Sequence, residues 1–123
     1  MDLRQYFESA KGLGVLATAD AAGHVDVAVY ARPHVMDEAT VAWIMSDRLS
    51  HRNLQSNPCA VYLFVEDGPG YKGKRLYLTK VREEADPKLI ESLRRKGRPR
   101  GEDDVPRFVV TFHIDQVRPA VGQ

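Results

Sequence analysis

The chain has 123 residues, 43% of them hydrophobic and 28% charged, which fits one globular domain built on one core. A net charge of +1 gives no long-range field to draw the protein onto nucleic acid or an anionic membrane. A single cysteine, Cys59, excludes an internal disulfide, and no apolar run has the length of a membrane span or the form of a signal peptide, so the expected location is the cytoplasm.

Asp2 and Gln5 have capping-box spacing, and Leu3, Tyr6, Phe7 and Ala10 recur at i, i+3, i+4 and i+7. This predicts a short amphipathic helix, with Lys11 near its negative end and Gly12 or Gly14 ending it. Leu13 to Ala19 reads as a strand, and Asp20-Ala21-Ala22-Gly23 as a hairpin turn in which Gly23 takes positive φ. His24 to Pro33 is the cleanest strand. Val25, Val27, Val29 and Ala31 share one face, expected to be core; His24, Asp26, Ala28, Tyr30 and Arg32 share the other. Pro33 removes a ladder donor and marks an edge or the strand's end. A strand at Val35-Met36, a turn over Asp37 to Thr40 and a strand from Val41 to Ser46 make a second hairpin.

After the turn Ser46-Asp47-Arg48, Ser50 is the expected N-cap of a short helix from His51 to about Ser56, stopped by Asn57-Pro58. The first turn of a helix leaves N–H groups unpaired and carries partial positive charge. Arg48, Ser50, His51 and Arg52 gathered there describe an anion site, with phosphate as the functional reading and a capped surface helix with solvated arginines as the plain one. Cys59 to Glu66 is apolar on both faces and is expected to lie centrally, covered on both sides. Asp67 to Gly73 is a glycine-rich loop and Lys74 to Ala85 a long strand. Asp86-Pro87 opens a helix with an apolar stripe of Leu89, Ile90 and Leu93, ended by Gly97. Arg98 to Pro106 is a polar loop, and Arg107 to Val117 a last strand with Phe108, Val110, Phe112 and Ile114 on one face. About seven strands, antiparallel by turn length, and three short helices predict a barrel closed to remove its edges.

Several motifs are formal only. Gly68-Pro69-Gly70-Tyr71-Lys72-Gly73 matches G-x-G-x-x-G, but a strand follows it where a phosphate loop needs a helix, and Pro69 deletes an amide. It reads as a hairpin loop whose Tyr71, Lys72 and Lys74 can cover a ligand. The four histidines and Cys59 lack metal-ligand spacing. Ser50-His51 are neighbours that point apart on a helix and make a poor nucleophile and base. The basic run Arg94 to Arg100 suits a helix C-terminus and is offset by Glu102, Asp103 and Asp104, so nucleic acid is not an expected partner.

The stretches G-V-L-A-T-A-D-A-A-G-H-V-D-V-A, A-W-I-M-S-D-R-L-S-H-R-N-L-Q-S-N-P-C-A-V and R-L-Y-L-T-K-V-R-E-E-A-D-P resemble the pyridoxamine 5'-phosphate oxidase-like, FMN-binding split-barrel family over nearly the whole chain. The N-L-x-x-N-P element at Asn53-Leu54 and Asn57-Pro58 is the most specific match; Thr18-Ala19-Asp20 and Gly23 match the first hairpin. The resemblance implies one FMN-binding domain over residues 1–123. Its fold would be mainly β, an antiparallel split β-barrel of about six to seven strands with two or three short peripheral helices. It implies a homodimer holding FMN in clefts between subunits. The phosphate would lie at Arg48, Ser50, His51 and Arg52. The isoalloxazine would lie against the end of the second strand, at Tyr30, Ala31, Arg32 and Pro33, and of the fourth, at Met45 and Ser46. Two classes of function stay open: a flavin-dependent oxidoreductase with an unnamed electron donor or acceptor, and a non-catalytic FMN carrier or binder of another cofactor such as haem. No side chain near the cleft is a convincing acid–base catalyst, so turnover is expected to be flavin-centred. Arg32 either favours the charge of a reduced flavin or forms a surface ion pair.

Overall fold

The computed structural model describes residues 2–93 and 106–122. Its first element, α1 (Leu3–Ser9), starts where the Asp2 carboxylate accepts from the amides of Arg4 and Gln5, at 3.0 and 3.3 Å. Arg32, and not Lys11, serves the other end: its Nη1 donates to the carbonyls of Phe7 and Ala10, both at 2.8 Å. The strands are β1 (Gly12–Ala19), β2 (Val25–Val29), β3 (His34–Val35), β4 (Thr40–Ser46), β5 (Cys59–Glu66), β6 (Gly73–Glu84) and β7 (Arg107–Pro119). Two more helices, α2 (Leu49–Ser56) and α3 (Pro87–Leu93), complete the described elements. The expected helix end at Gly97, the run Arg94 to Arg100 and all of the expected loop except Pro106 lie outside the described residues.

The fold is mainly β: one antiparallel sheet in the order β2-β1-β5-β6-β7-β4-β3. Register shifts between Tyr77 and Leu78 and between Lys80 and Arg82 curl the long β6–β7 pair. The edges β2 and β3 are consecutive in sequence, yet no ladder joins them, so the barrel is split, as the family resemblance implies, and not closed as the strand count alone predicts. The cause lies in residues 30–33. Trp43 Nε1 donates to the Ala31 carbonyl at 2.7 Å, and the Tyr62 hydroxyl lies 3.1 and 3.0 Å from the carbonyls of Tyr30 and Ala31. Side chains thus take acceptors that a partner strand would need, and β2 ends at Val29 instead of running to Pro33.

The core gathers Leu16, Met45, Tyr62, Phe64, Leu76, Leu78, Val110 and Phe112, closed by Phe7 of α1 and Leu54 of α2. Its aromatic pairs meet edge-on, as in Phe7–Phe64 at 5.6 Å and Trp43–Phe112 at 5.6 Å. Gly14 is required beside Tyr62, because a Cβ there would overlap the tyrosine hydroxyl. Gly23 holds φ +87° in the first hairpin, as its turn demands.

Two expectations about faces are corrected. Val25, Val27 and Val29 are 81%, 62% and 70% exposed, so the valine face of β2 is outside, not in the core. The register explains this. Ala28 pairs with Leu16, which is fully buried, and Asp26 pairs with buried Thr18, so the alternate set, 26, 28 and 30, faces inward. The β5 strand is likewise covered on one face only: Ala60, Tyr62 and Phe64 are buried, while Val61, Leu63 and Val65 are half-buried and Cys59 is exposed.

Candidate functional site

The site is built around the first turns of α2. Its N-cap is Arg48, with no side-chain cap bond, which corrects the expected cap at Ser50. The turn is tighter than the sequence suggested: the Arg48 amide donates to the Ser46 carbonyl at 2.8 Å, and the helix opens with Arg52 N–H to the Arg48 carbonyl at 2.9 Å. Ser50 is therefore the second helical residue. Its buried hydroxyl donates to Asp26 Oδ2 at 3.5 Å. Burial raises the Tyr30 hydroxyl above its ordinary pKa; a hydrogen bond with Ser50 pulls it down, Asp26 pushes it up and Arg48 pulls it down. Asp26, Tyr30, Arg48 and Ser50 thus form one corner between β2 and α2. Deeper in, Asn53 Nδ2 donates to Thr18 Oγ1 at 3.0 Å, tying α2 to β1.

The other side of α2 carries a second cluster. His51 is buried and stacked on Phe108, with centroids 4.3 Å apart and planes at 5°. Its Nδ1 is 3.0 Å from Asp47 Oδ1 and its Nε2 3.0 Å from Glu83 Oε1. Lys80 Nζ and Gln55 Nε2 also donate to Glu83, at 2.8 and 3.0 Å. Burial pushes the Glu83 carboxyl up, but the bonds from Lys80, Gln55 and His51 outweigh this and lower it to about 2. A lowered carboxyl contributes stability above its unfolded value and loses it as pH falls through the folded one. Glu83→Gln should accordingly cost roughly 2–3 kcal/mol near neutral pH, with the gap to the unaltered chain closing between about pH 5 and 2. Urea unfolding of both chains across that range checks it; a pH-independent gap would remove the ionic contribution of Glu83.

Ser46 and residues 31–33 adjoin this corner along the chain, while Met45 turns into the core and Tyr71 and Lys74 lie on the 67–72 loop and on β6. Met45 is fully buried in the core, and half-buried Ser46 pairs with Arg107. Ala31 is exposed and Pro33 buried. Tyr71 is 74% exposed at φ +51° in the 67–72 loop, which leads into strand β6 and not into a helix. Lys74 lies 4.7 Å over the Tyr6 ring, in the row of Phe64 and Gly14 and three strands from β2. The chain therefore brings Tyr30, Arg48 and Ser50 together but leaves Lys74 apart from them within one protomer.

No protein-family model and no curated protein matches the sequence. Solved structures do. An FMN-binding protein from Syntrophomonas wolfei subsp. wolfei superposes with a TM-score of 0.75 at 15% identity, covering 98% of this chain and 84% of that one. A Clostridium acetobutylicum protein of the pyridoxinephosphate oxidase family, related to general stress protein 26 of B. subtilis, gives 0.70 at 16% identity, over 94% and 83%. The chain has the pyridoxamine 5'-phosphate oxidase-like split-barrel fold. HutZ, the haem storage protein from Vibrio cholerae, matches this split barrel at 0.66 with 16% identity, over 95% and 91%. Identities this low establish the fold and leave the ligand to be argued from the residues.

The residues of this split barrel fit a flavin phosphate in part. Of the four side chains expected to hold it, Ser50 is engaged with Asp26 and Tyr30, and both ring nitrogens of His51 face carboxylates. Arg48 and Arg52 are the exposed cations at the helix end; the Arg52 side chain is 68% exposed, 3.9 Å from Asp47. The acidic members of the site, Asp26, Asp47 and Glu83, were missed by sequence reasoning. Asp26 alone carried a signal, the two-residue period that puts it on the Tyr30 face. Nothing local showed that α2 folds back onto that face.

Proposed function

We propose that this split barrel binds FMN at the N-terminal end of α2, beside an interface between two copies of the chain, and serves flavin-dependent redox chemistry. One observation carries the reading: the outer face of β2, β1 and β5, exposed on β2 and half-buried on the other two. The rows Val29–Val15–Leu63 and Val27–Ala17–Val61 run across it without a charge. An apolar row of this kind is covered in a working protein, and two-fold pairing of identical faces is the simplest cover. Arg48 and Arg52 would hold the phosphate with the amides of the first helical turn, and the crossover at Tyr30 to Pro33 would stand against the ring. Bound FMN supplies the redox chemistry; the chain binds it, orients it and limits its contact with water. The fold is shared with an FMN-binding protein, which supports the choice of ligand.

Absorbance and mass spectrometry of the purified protein test for flavin, and NAD(P)H oxidation that depends on added FMN separates an oxidoreductase from a carrier. Arg52→Ala should weaken FMN by about 1.5–3 kcal/mol, roughly ten- to a hundredfold, in a fluorescence titration. Unchanged FMN affinity in that variant would move the phosphate off this helix.

A further inference from the structure

We propose that Asp26 is a built-in competitor for the flavin phosphate, so that the site takes FMN as an exchangeable ligand and not as a permanently held group; this rests on the flavin reading above. Asp26 pairs with Thr18 on the inward face of the sheet, and the Thr18 hydroxyl in turn receives the Asn53 amide of α2. The register therefore points the Asp26 carboxylate at the helix. Its Oδ2 stands 3.5 Å from the hydroxyl of Ser50, the second residue of α2, which is only 4% exposed. That is where an anion held by Ser50 and the first-turn amides would stand. A phosphate reaching the same hydroxyl must displace the carboxylate or lie beside it, and like charges so close repel. Asp26 and Arg48 also act in opposite directions on the Tyr30 hydroxyl, so the carboxylate offsets part of the arginine's field at this corner. The neighbouring donor offers no relief, since His51 is turned to Asp47 and Glu83. The arginines attract the phosphate, and Asp26 limits how tightly it is held.

Asp26→Asn tests this, because it removes the charge and keeps the shape and a polar partner for Ser50; Asp26→Ser is the second variant should the first not fold. Titration should show FMN binding roughly tenfold or more tighter in the variant, with riboflavin, which lacks the phosphate, unchanged. Inorganic phosphate should raise the melting temperature of the variant more than that of the unaltered chain. Equal responses of the two chains to phosphate, including none in either, would overturn the role of Asp26. If neither chain binds either flavin, the flavin reading falls, and the phosphate measurement still decides Asp26.

Discussion

Val27→Asp is expected to turn the proposed dimer into a monomer and to lower flavin occupancy with it. Val27 is the middle of three exposed valines on β2, and its outer-face neighbours in register are Ala17 and Val61. In one chain the change is mild, because the side chain already faces water. Across a two-fold interface it acts twice, placing two unpaired carboxylates in a dry apolar contact. An uncompensated buried charge costs about 3–5 kcal/mol, so dissociation should rise by a hundredfold or more. Sedimentation and light scattering at micromolar concentration give the mass directly. Val121→Asp, at another exposed valine outside the sheet, is the control and should leave the mass alone. A Val27→Asp chain that sediments as the unaltered one does would place the interface elsewhere, and a monomeric unaltered chain would remove it.

The valine row also shows where sequence reading stops. A period of two sorts Val25, Val27 and Val29 from Asp26, Ala28 and Tyr30, and that sorting is correct. It cannot say which set faces in. Choosing the apolar set is sound for many sheets with one wet face, and it fails here, where the valines stay exposed and the alternate set turns inward. Here the inward set carries Asp26 because a helix distant in sequence meets it. The same limit hid the His51 cluster: Glu83 and Phe108 lie on strands whose distance from α2 no local pattern encodes.

What the sequence did carry was local chemistry. Asp2 caps α1, Gly23 turns the first hairpin, and β1, β4, β5 and β6 begin and end within two residues of expectation. The N-L-x-x-N-P element was legible because its parts have separate structural uses. Asn53 ties α2 to Thr18, Leu54 enters the core, and Asn57 Oδ1 accepts from the Cys59 amide at 3.0 Å as the chain turns into β5. The split in the barrel was less legible, since it depends on Trp43 and Tyr62 reaching the carbonyls of residues 30 and 31 from two other strands.

That reach makes Trp43 the position where one substitution should cost the fold most. Trp43 is 3% exposed, lies 4.8 Å from the Tyr62 ring and 5.6 Å from Phe112, and donates to the Ala31 carbonyl. Trp43→Ala deletes the indole and opens a cavity between strands β4, β5 and β7, at a cost of about 3–5 kcal/mol. The Ala31 carbonyl is not orphaned, because the Tyr62 hydroxyl remains 3.0 Å from it, so the loss is chiefly one of packing. Trp43→Phe keeps much of the volume and should lose well under half as much. Against a total stability of about 5–15 kcal/mol, the alanine variant stands close to unfolding. It also frees one of the anchors of residues 30–33, leaving those from Tyr62 and Arg32, so flavin affinity should fall where the fold survives. Trp43 is the chain's single tryptophan, so unfolding must be followed by circular dichroism, at one fixed protomer concentration. An alanine variant whose urea midpoint stays near that of the unaltered chain would show that the fold and the 30–33 crossover do not depend on Trp43.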